Sequence, residues 1–191
     1  KSDKLDDTFE RVTKIMIEQI ESLSNLASSF SDFAKMPKER FAKCNILDVL
    51  ITTAHLFEKS SEMKITTQFP PRPVYVFTDK EQMGRVFNNL IKNAIQSVPE
   101  DREGFVEIKV SVKKDVAVIE VADNGNGIDQ AIKGNIFTPN FSTKTSGMGL
   151  GLAIARKTVE TSGGKIYFKT RKDKGTVFII ELPVYKNETT D

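Results

Sequence analysis

Between Leu5 and Phe33, apolar positions alternate at spacings of four and three: Leu5, Phe9, Val12, Met16, Leu23, Leu26, Phe30 and Phe33, with Gln19 the one polar member. That rhythm predicts a helix seam of the coiled-coil or bundle kind. A helix of that length spans roughly 43 Å at ~1.5 Å per residue. Ile20, Ala27 and Ala34 widen the stripe, which favours a bundle over a two-stranded coil. One amphipathic helix cannot bury its own stripe, so it is expected either to dimerise or to fold back onto the rest of the chain. Met36-Pro37 ends it, because a proline ring blocks the next helical turn.

After that break the period changes repeatedly. Asn45–Ser60 reads as a helix, with Ile46, Leu47, Val49, Leu50, Ala54 and Phe57 apolar. Ile65–Phe69 and Val74–Thr78 read as short strands separated by Pro70, Pro71 and Pro73. Lys80–Val98 is an amphipathic helix stopped by Pro99. Val106–Val112 alternates with period two, and Val116–Ala122 is a more buried strand. Leu150–Ser162 is helical and closed by Gly163-Gly164, a C-terminal cap signal. Lys165–Lys169 and Thr176–Leu182 form a hairpin-like pair around residues 171–175. Such an order predicts an α+β fold, with helices on one face of a mixed sheet. The chain divides into a bundle helix at 1–37, a core-bearing domain at 38–186 and a polar tail at 187–191.

Composition narrows the class. Hydrophobic content of 39% and charged content of 28% are those of a globular protein. A net charge of +2 and the absence of a basic stripe interleaved with aromatics argue against nucleic acid. Cys44 is the single cysteine, so a disulfide framework and a thiolate metal site are both excluded, and a reducing, cytoplasmic setting fits. No apolar run approaches the ~20 residues of a spanning helix. The chain opens on Lys1, as a fragment would, so a membrane anchor elsewhere in a parent protein stays open.

Chemistry concentrates in two glycine clusters and one helix. On Lys80–Val98, Met83, Phe87, Leu90, Ala94 and Val98 share one face, while Arg85, Asn89, Asn93 and Gln96 line the adjacent one. Asparagine is a poor helix former, and a solvated face would more readily carry Glu or Lys. An amide oxygen is a hard ligand that can meet Mg²⁺ without adding charge beside phosphates. The plain alternative is a surface helix whose asparagines have no special role, or asparagines satisfied in the core.

Asp123 follows a strand and opens Asn124-Gly125-Asn126-Gly127. A tight hairpin turn is the ordinary reading of Asp-Asn-Gly, but Ile128-Asp129 lead into a helix-like stretch rather than a partner strand. A carboxylate there can accept from an exocyclic amine. Gly147-Met148-Gly149-Leu150-Gly151 then runs into a helix, and a glycine loop feeding a helix N-terminus is an anion site. It is not the dinucleotide fingerprint, since Leu152 stands where the third glycine belongs. The stretch from Asp129 to Ser146 between the clusters reads as a mobile lid.

These motifs in this order, with Phe137-Thr-Pro139-Asn-Phe141-Ser-Thr-Lys144 and Gly175-Thr176, resemble the ATP-binding domain of bacterial sensor histidine kinases, most of all the nitrogen-regulation type. The resemblance covers about residues 45–184. It implies the Bergerat (GHKL-type) two-layer fold, with ATP held under a lid. It implies Asn93 on Mg²⁺, Asn89 near the phosphates, and Asp123 and Thr176 at adenine. Gly125 and Gly127 would border the base, the loop Gly147, Gly149, Leu150 and Gly151 would cradle phosphates, and Lys144 would neutralise transferred charge. The N-terminal helix resembles the second helix of the family's dimerisation hairpin, which implies a homodimer and a response-regulator partner.

The chain departs from that family at several positions. Asn140 stands where relatives often have a second aromatic, and Gln96-Ser97 where they commonly have Lys-Tyr. The phosphoacceptor motif is missing: the one histidine, His55, has no acid beside it and no proline after it, and reads as an ordinary helix histidine. Three functions are therefore expected to compete. The first is the catalytic part of a histidine kinase, transferring the ATP γ-phosphoryl to a histidine elsewhere. The second is an ATPase switch of the same superfamily, disfavoured because Asn89 stands where such enzymes carry a proton-accepting Glu. The third is a docking module with a relic site. A serine-directed kinase of the anti-sigma kind fits the long first helix poorly.

Overall fold

The computed structural model describes residues 9, 11–17, 19–20, 39–58, 63–142, 149–171 and 174–186. Residues 11–17 are helical, as the heptad pattern predicts, and expose Val12 and Met16. Most of the expected seam, together with Lys144, Gly147 and the 187–191 tail, lies outside the described residues. Among the described residues, no helix is long and apolar enough to cross a membrane.

From residue 42 onward the elements run β1 (Ala42–Asn45), α1 (Ile46–Glu58), β2 (Lys64–Gln68), β3 (Tyr75–Thr78), α2 (Lys80–Ser97), β4 (Phe105–Lys113), β5 (Val116–Asp123), α3 (Gly151–Thr161), β6 (Lys165–Arg171) and β7 (Gly175–Pro183). A 3₁₀ turn at Gln130–Ile132 lies between β5 and α3. Five strands form one mixed sheet in the order β2-β4-β5-β7-β6, with β2 parallel to β4 and the other pairs antiparallel. Period-two alternation in β4 and β5 sends Val106, Ile108, Val110, Ala117, Ile119 and Val121 to one face. There they meet Met83, Phe87, Leu90 and Ile91 of α2, and Ala155 and Val159 of α3, in one core. This is the helix-on-sheet layering that the alternating pattern predicts.

Two details exceed that pattern. β1 pairs antiparallel with β3, Ala42 opposite Thr78 and Asn45 opposite Tyr75, in a separate two-stranded sheet. Four residues reading Ala-Lys-Cys-Asn carry no periodicity, so the sequence shows no strand there. The stretch after Asp129 is not a regular helix: the single 3₁₀ turn is followed by bonded turns, Asn135 N to Ile132 O and Thr138 N to Asn135 O. At the end of α3, by contrast, Gly163 adopts φ +73°, with Gly163 N donating to Glu160 O and Gly164 N to Val159 O. That pairing is a Schellman cap, as the Gly-Gly signal predicts.

Asp79 secures the start of α2. Its Oδ1 accepts from Glu81 N at 2.9 Å and Gln82 N at 3.0 Å, and its Oδ2 accepts from Arg40 N at 2.7 Å. Burial alone would raise this carboxyl, but the N–H groups of Gln82, Arg40 and Glu81, with the Arg40 charge, hold it below the usual carboxylate range. A depressed pKa stabilises the fold above the unfolded value, and that stability is lost as pH falls through the folded one. Asp79→Ala is therefore expected to lower stability by about 1–2 kcal/mol at neutral pH. In urea titrations that gap should shrink as the pH is taken below about 4.

Candidate functional site

α2 has two working faces. Its apolar side is sealed into the core, and Asn89, Lys92, Asn93 and Gln96 on the other side line a cleft of about 580 Å³. The cleft is completed by Asp123 at the end of β5, Gly127, the segment from Gly149 to Leu152 at the start of α3, and Thr176 and Phe178 on β7. Ile128, Ile132 and Ile136 add apolar wall from the loop. A polar row faces an apolar wall here, the composition of a small-molecule site.

The Asp123 end is held by backbone. The side chain is 6% exposed, and its Oδ1 accepts from Gly125 N at 2.9 Å and Thr176 N at 3.1 Å. Burial pushes the carboxyl pKa up, and the Gly125, Ser97 and Thr176 donors only partly offset it. The loop after it is fastened to the end of α2, where Asn126 N donates to Ser97 O at 3.0 Å. A Cβ at Gly125 would stand 2.5 Å from that same carbonyl, which only glycine avoids. Thr176 Oγ1 lies 2.9 Å from Thr170 Oγ1, which accepts from Ile128 N at 2.9 Å. β5, β6, β7 and the loop are thereby tied at one corner.

At the other end, the backbone of α3 begins against Asn89. Any Cβ on Gly151 would collide with the Asn89 amide. Asn89 Nδ2 is buried with no hydrogen-bond partner among the described residues. An unpaired buried donor costs about 1–3 kcal/mol, and here it borders a cleft that a hydrogen-bond acceptor could enter. Gly149, at φ +65°, turns the chain tightly past Phe141.

One cleft thus gathers Asn89, Asn93, Asp123, Gly127, Gly149, Leu150, Gly151 and Thr176. Gly125 stands behind the lining, bracing Asp123 rather than facing the cleft. Lys144 and Gly147 lie outside the described residues. His55 takes no part in this arrangement: it is exposed on α1, its Nε2 3.9 Å from Glu58, and does not line the cleft. The hairpin reading of Asp-Asn-Gly fails, since β5 pairs with β4 and β7 and no strand follows the turn. The expected lid is anchored over its first half. Ile136 is buried, and Phe137 packs 6.1 Å from Phe168 and 6.4 Å from Phe178, ring centre to ring centre. Sequence reasoning passed over Lys92, Ile136 and Phe178; the first sits between two signal asparagines, and the last follows from β7 phase.

Residues 78–186 match the model of the histidine kinase-, DNA gyrase B- and HSP90-like ATPase family. The chain belongs to that family. Within it the likeness is to sensor histidine kinases. Nitrogen regulation protein NtrY of Azorhizobium caulinodans is 31% identical over 164 residues, which is 83% of this chain and 21% of that protein. The catalytic domain of histidine kinase ThkA superposes with a TM-score of 0.68 at 32% identity, covering 76% of this chain and 96% of that one. ThkA in complex with the response regulator TrrA aligns at 26% identity and a TM-score of 0.71, covering 85% of this chain and 48% of that one. The chain spans about a fifth of the length of NtrY. It is the ATP-binding catalytic region of a sensor histidine kinase, in the GHKL fold.

Two substitutions separate binding from folding. A raised Asp123 pKa means the folded domain loses stability as pH rises through that value. Asp123→Asn should therefore be as stable as wild type or more so at pH 7, with the difference closing on acidification in urea titrations. The same variant should bind ATP at least about a hundredfold more weakly by calorimetry, since it presents an amide donor where an acceptor stood. Gly151→Ala should fold normally, because an alanine at a helix start is favourable by up to about 1 kcal/mol. Displacement of the Asn89 amide should still cost it ATP affinity.

Proposed function

We propose that this chain binds Mg·ATP in the α2–α3 cleft and presents the γ-phosphoryl to a histidine on another segment of its parent kinase. The orphaned Asn89 Nδ2, buried beside the glycine turn that starts α3, carries this reading. Asp123 would accept from the adenine amine, with Thr176 beside the base and Gly127 letting the ring lie against backbone. Asn89 and the N–H groups from Gly149 through Leu150 to Gly151 would meet phosphate oxygens, joined by Gly147, and Asn93 would offer its amide oxygen to Mg²⁺. Among the described residues no group of three His, Cys, Asp or Glu side chains converges, which suits a metal shared between an amide and phosphates. Bound Mg·ATP supplies the transferable phosphoryl and neutralises part of its charge. The chain's own share is positioning, exclusion of water and charge compensation, in which Lys144 takes part.

Asn89 has no basic lone pair, so its end of the cleft holds, among the described residues, no group suited to activating water. The proton-accepting group belongs beside the acceptor histidine, outside this chain. The parent would act as a cytoplasmic homodimer through the N-terminal helix and pass its phosphoryl to a response regulator, as the ThkA–TrrA complex supports by analogy. Nucleic acid has no place in it. Incubated alone with γ-labelled ATP and Mg²⁺, the chain should bind nucleotide yet gain no acid-labile label; with an acceptor hairpin supplied, the label should appear on the hairpin. Label on His55, or robust steady-state ATP turnover, would overturn the proposal. Absence of binding would favour a docking module with a relic site.

A further inference from the structure

Resting on that nucleotide reading, we infer that Lys92 is the phosphate-side cation of this cleft. Gln96, which lines the cleft from the last turn of α2, carries no charge. Among the described residues lining the cleft there is one carboxylate, Asp123, and one cation, Lys92. They are placed apart along α2. Ser97, at the helix end, lies against Asp123 and stands five positions beyond Lys92, roughly 7.5 Å of rise. Asn89 lies one turn before Lys92 and touches the start of α3 through Gly151. Lys92 therefore belongs to the end of the cleft where the unpaired amide and the helix N-terminus gather donors.

Among the described residues its charge is not otherwise committed. None of the described carboxylates forms an ion pair with Lys92. It is exposed, at the i+3 position from Asn89 and the i−4 position from Gln96, so it shares their row on the helix. A lysine in such a place lays its methylenes along the helix and delivers a compact point charge to the rim. The bland reading is a solubilising surface lysine. That reading and ours differ in one respect: a solubilising charge is indifferent to whether a bound nucleoside carries phosphates.

Calorimetric titration of wild type, Lys92→Gln and Lys92→Arg with Mg·ATP and with adenosine decides between them. Lys92→Gln should bind ATP about tenfold more weakly, equivalent to about 1.4 kcal/mol, and adenosine unchanged. Lys92→Arg should keep ATP affinity within about twofold. The decline of ATP affinity with added salt should be shallower in Lys92→Gln than in wild type, since one screened contact is gone. Equal ATP affinity for Lys92→Gln and wild type would overturn the inference and leave the nucleotide site standing. Parallel loss of ATP and adenosine would overturn it too, by making Lys92 structural. A wild type that binds neither ligand would overturn the nucleotide reading along with it.

Discussion

The rotation of α2 about its own axis decides where Asn89, Lys92, Asn93 and Gln96 point. Four large apolar side chains, Met83, Phe87, Leu90 and Ile91, are buried on one side of it together with Ala94. At about 1.5–3 kcal/mol for each large one, that burial far exceeds anything the polar side contributes. A rotation of ~100°, one residue's worth, would carry polar side chains into the core and apolar ones into water. Asp79 holds one end of the helix and the Ser97 carbonyl, bonded to Asn126 N, holds the other. Between those fixed ends the structure tolerates a buried, unpaired Asn89 amide at about 1–3 kcal/mol, because the core outweighs it severalfold.

Asp123 poses the opposite problem. Sheet register sets it beside the start of β7, with Ala122 opposite Val177, so its carboxyl meets the Thr176 N–H without a flexible reach. The same placement strips it of water and raises its pKa. Two backbone donors ease the charge without cancelling the burial. Burial disfavours the charged form of this group, a cost that a neutral amide in its place would not carry. Its partners are N–H groups on a glycine turn and a strand start, neither of which can rotate away, so the remaining acceptor capacity keeps a fixed direction. Under the proposed reading, that fixed direction would suit the edge of a base.

Much of this was legible in the chain itself, for reasons that differ by element. α2, β4 and β5 obey single periods over eight residues or more, and their bounds move by only a residue or so between pattern and structure. The Gly163-Gly164 cap was readable because a left-handed φ followed by a helix-ending pair of bonds has one cheap residue solution. β1 was invisible because its stability is borrowed: four residues pair with β3, and the Phe41, Phe77 and Tyr185 rings stack over them at 5.9 Å spacings, contacts between residues far apart in sequence. The loop after Asp129 reads as a lid from its length, and length does not show that its first half is anchored, with Ile136 buried and Phe137 against Phe168 and Phe178. In the cleft, residue types that are costly in their local setting, asparagines in a helix and glycines in clusters, announced themselves. Lys92 did not, because lysine on a helix surface is ordinary.

The chemistry that the cleft can support is limited by what α2 carries at Asn89. A carboxylate there would sit within reach of the α3 N-terminus and serve as a base for water, turning a holding site into a hydrolytic one. An amide in the same place donates and accepts hydrogen bonds but takes no proton at neutral pH. Positioning and charge compensation then remain as the local contribution, and they accelerate transfer only when a nucleophile is brought in line. His55 is exposed on α1 and outside the cleft lining. Under the proposed reading, a site that holds ATP and carries an amide rather than a carboxylate at Asn89 would wait for a separate segment to present a histidine, and domain approach, not bond chemistry within the cleft, would be the point of control.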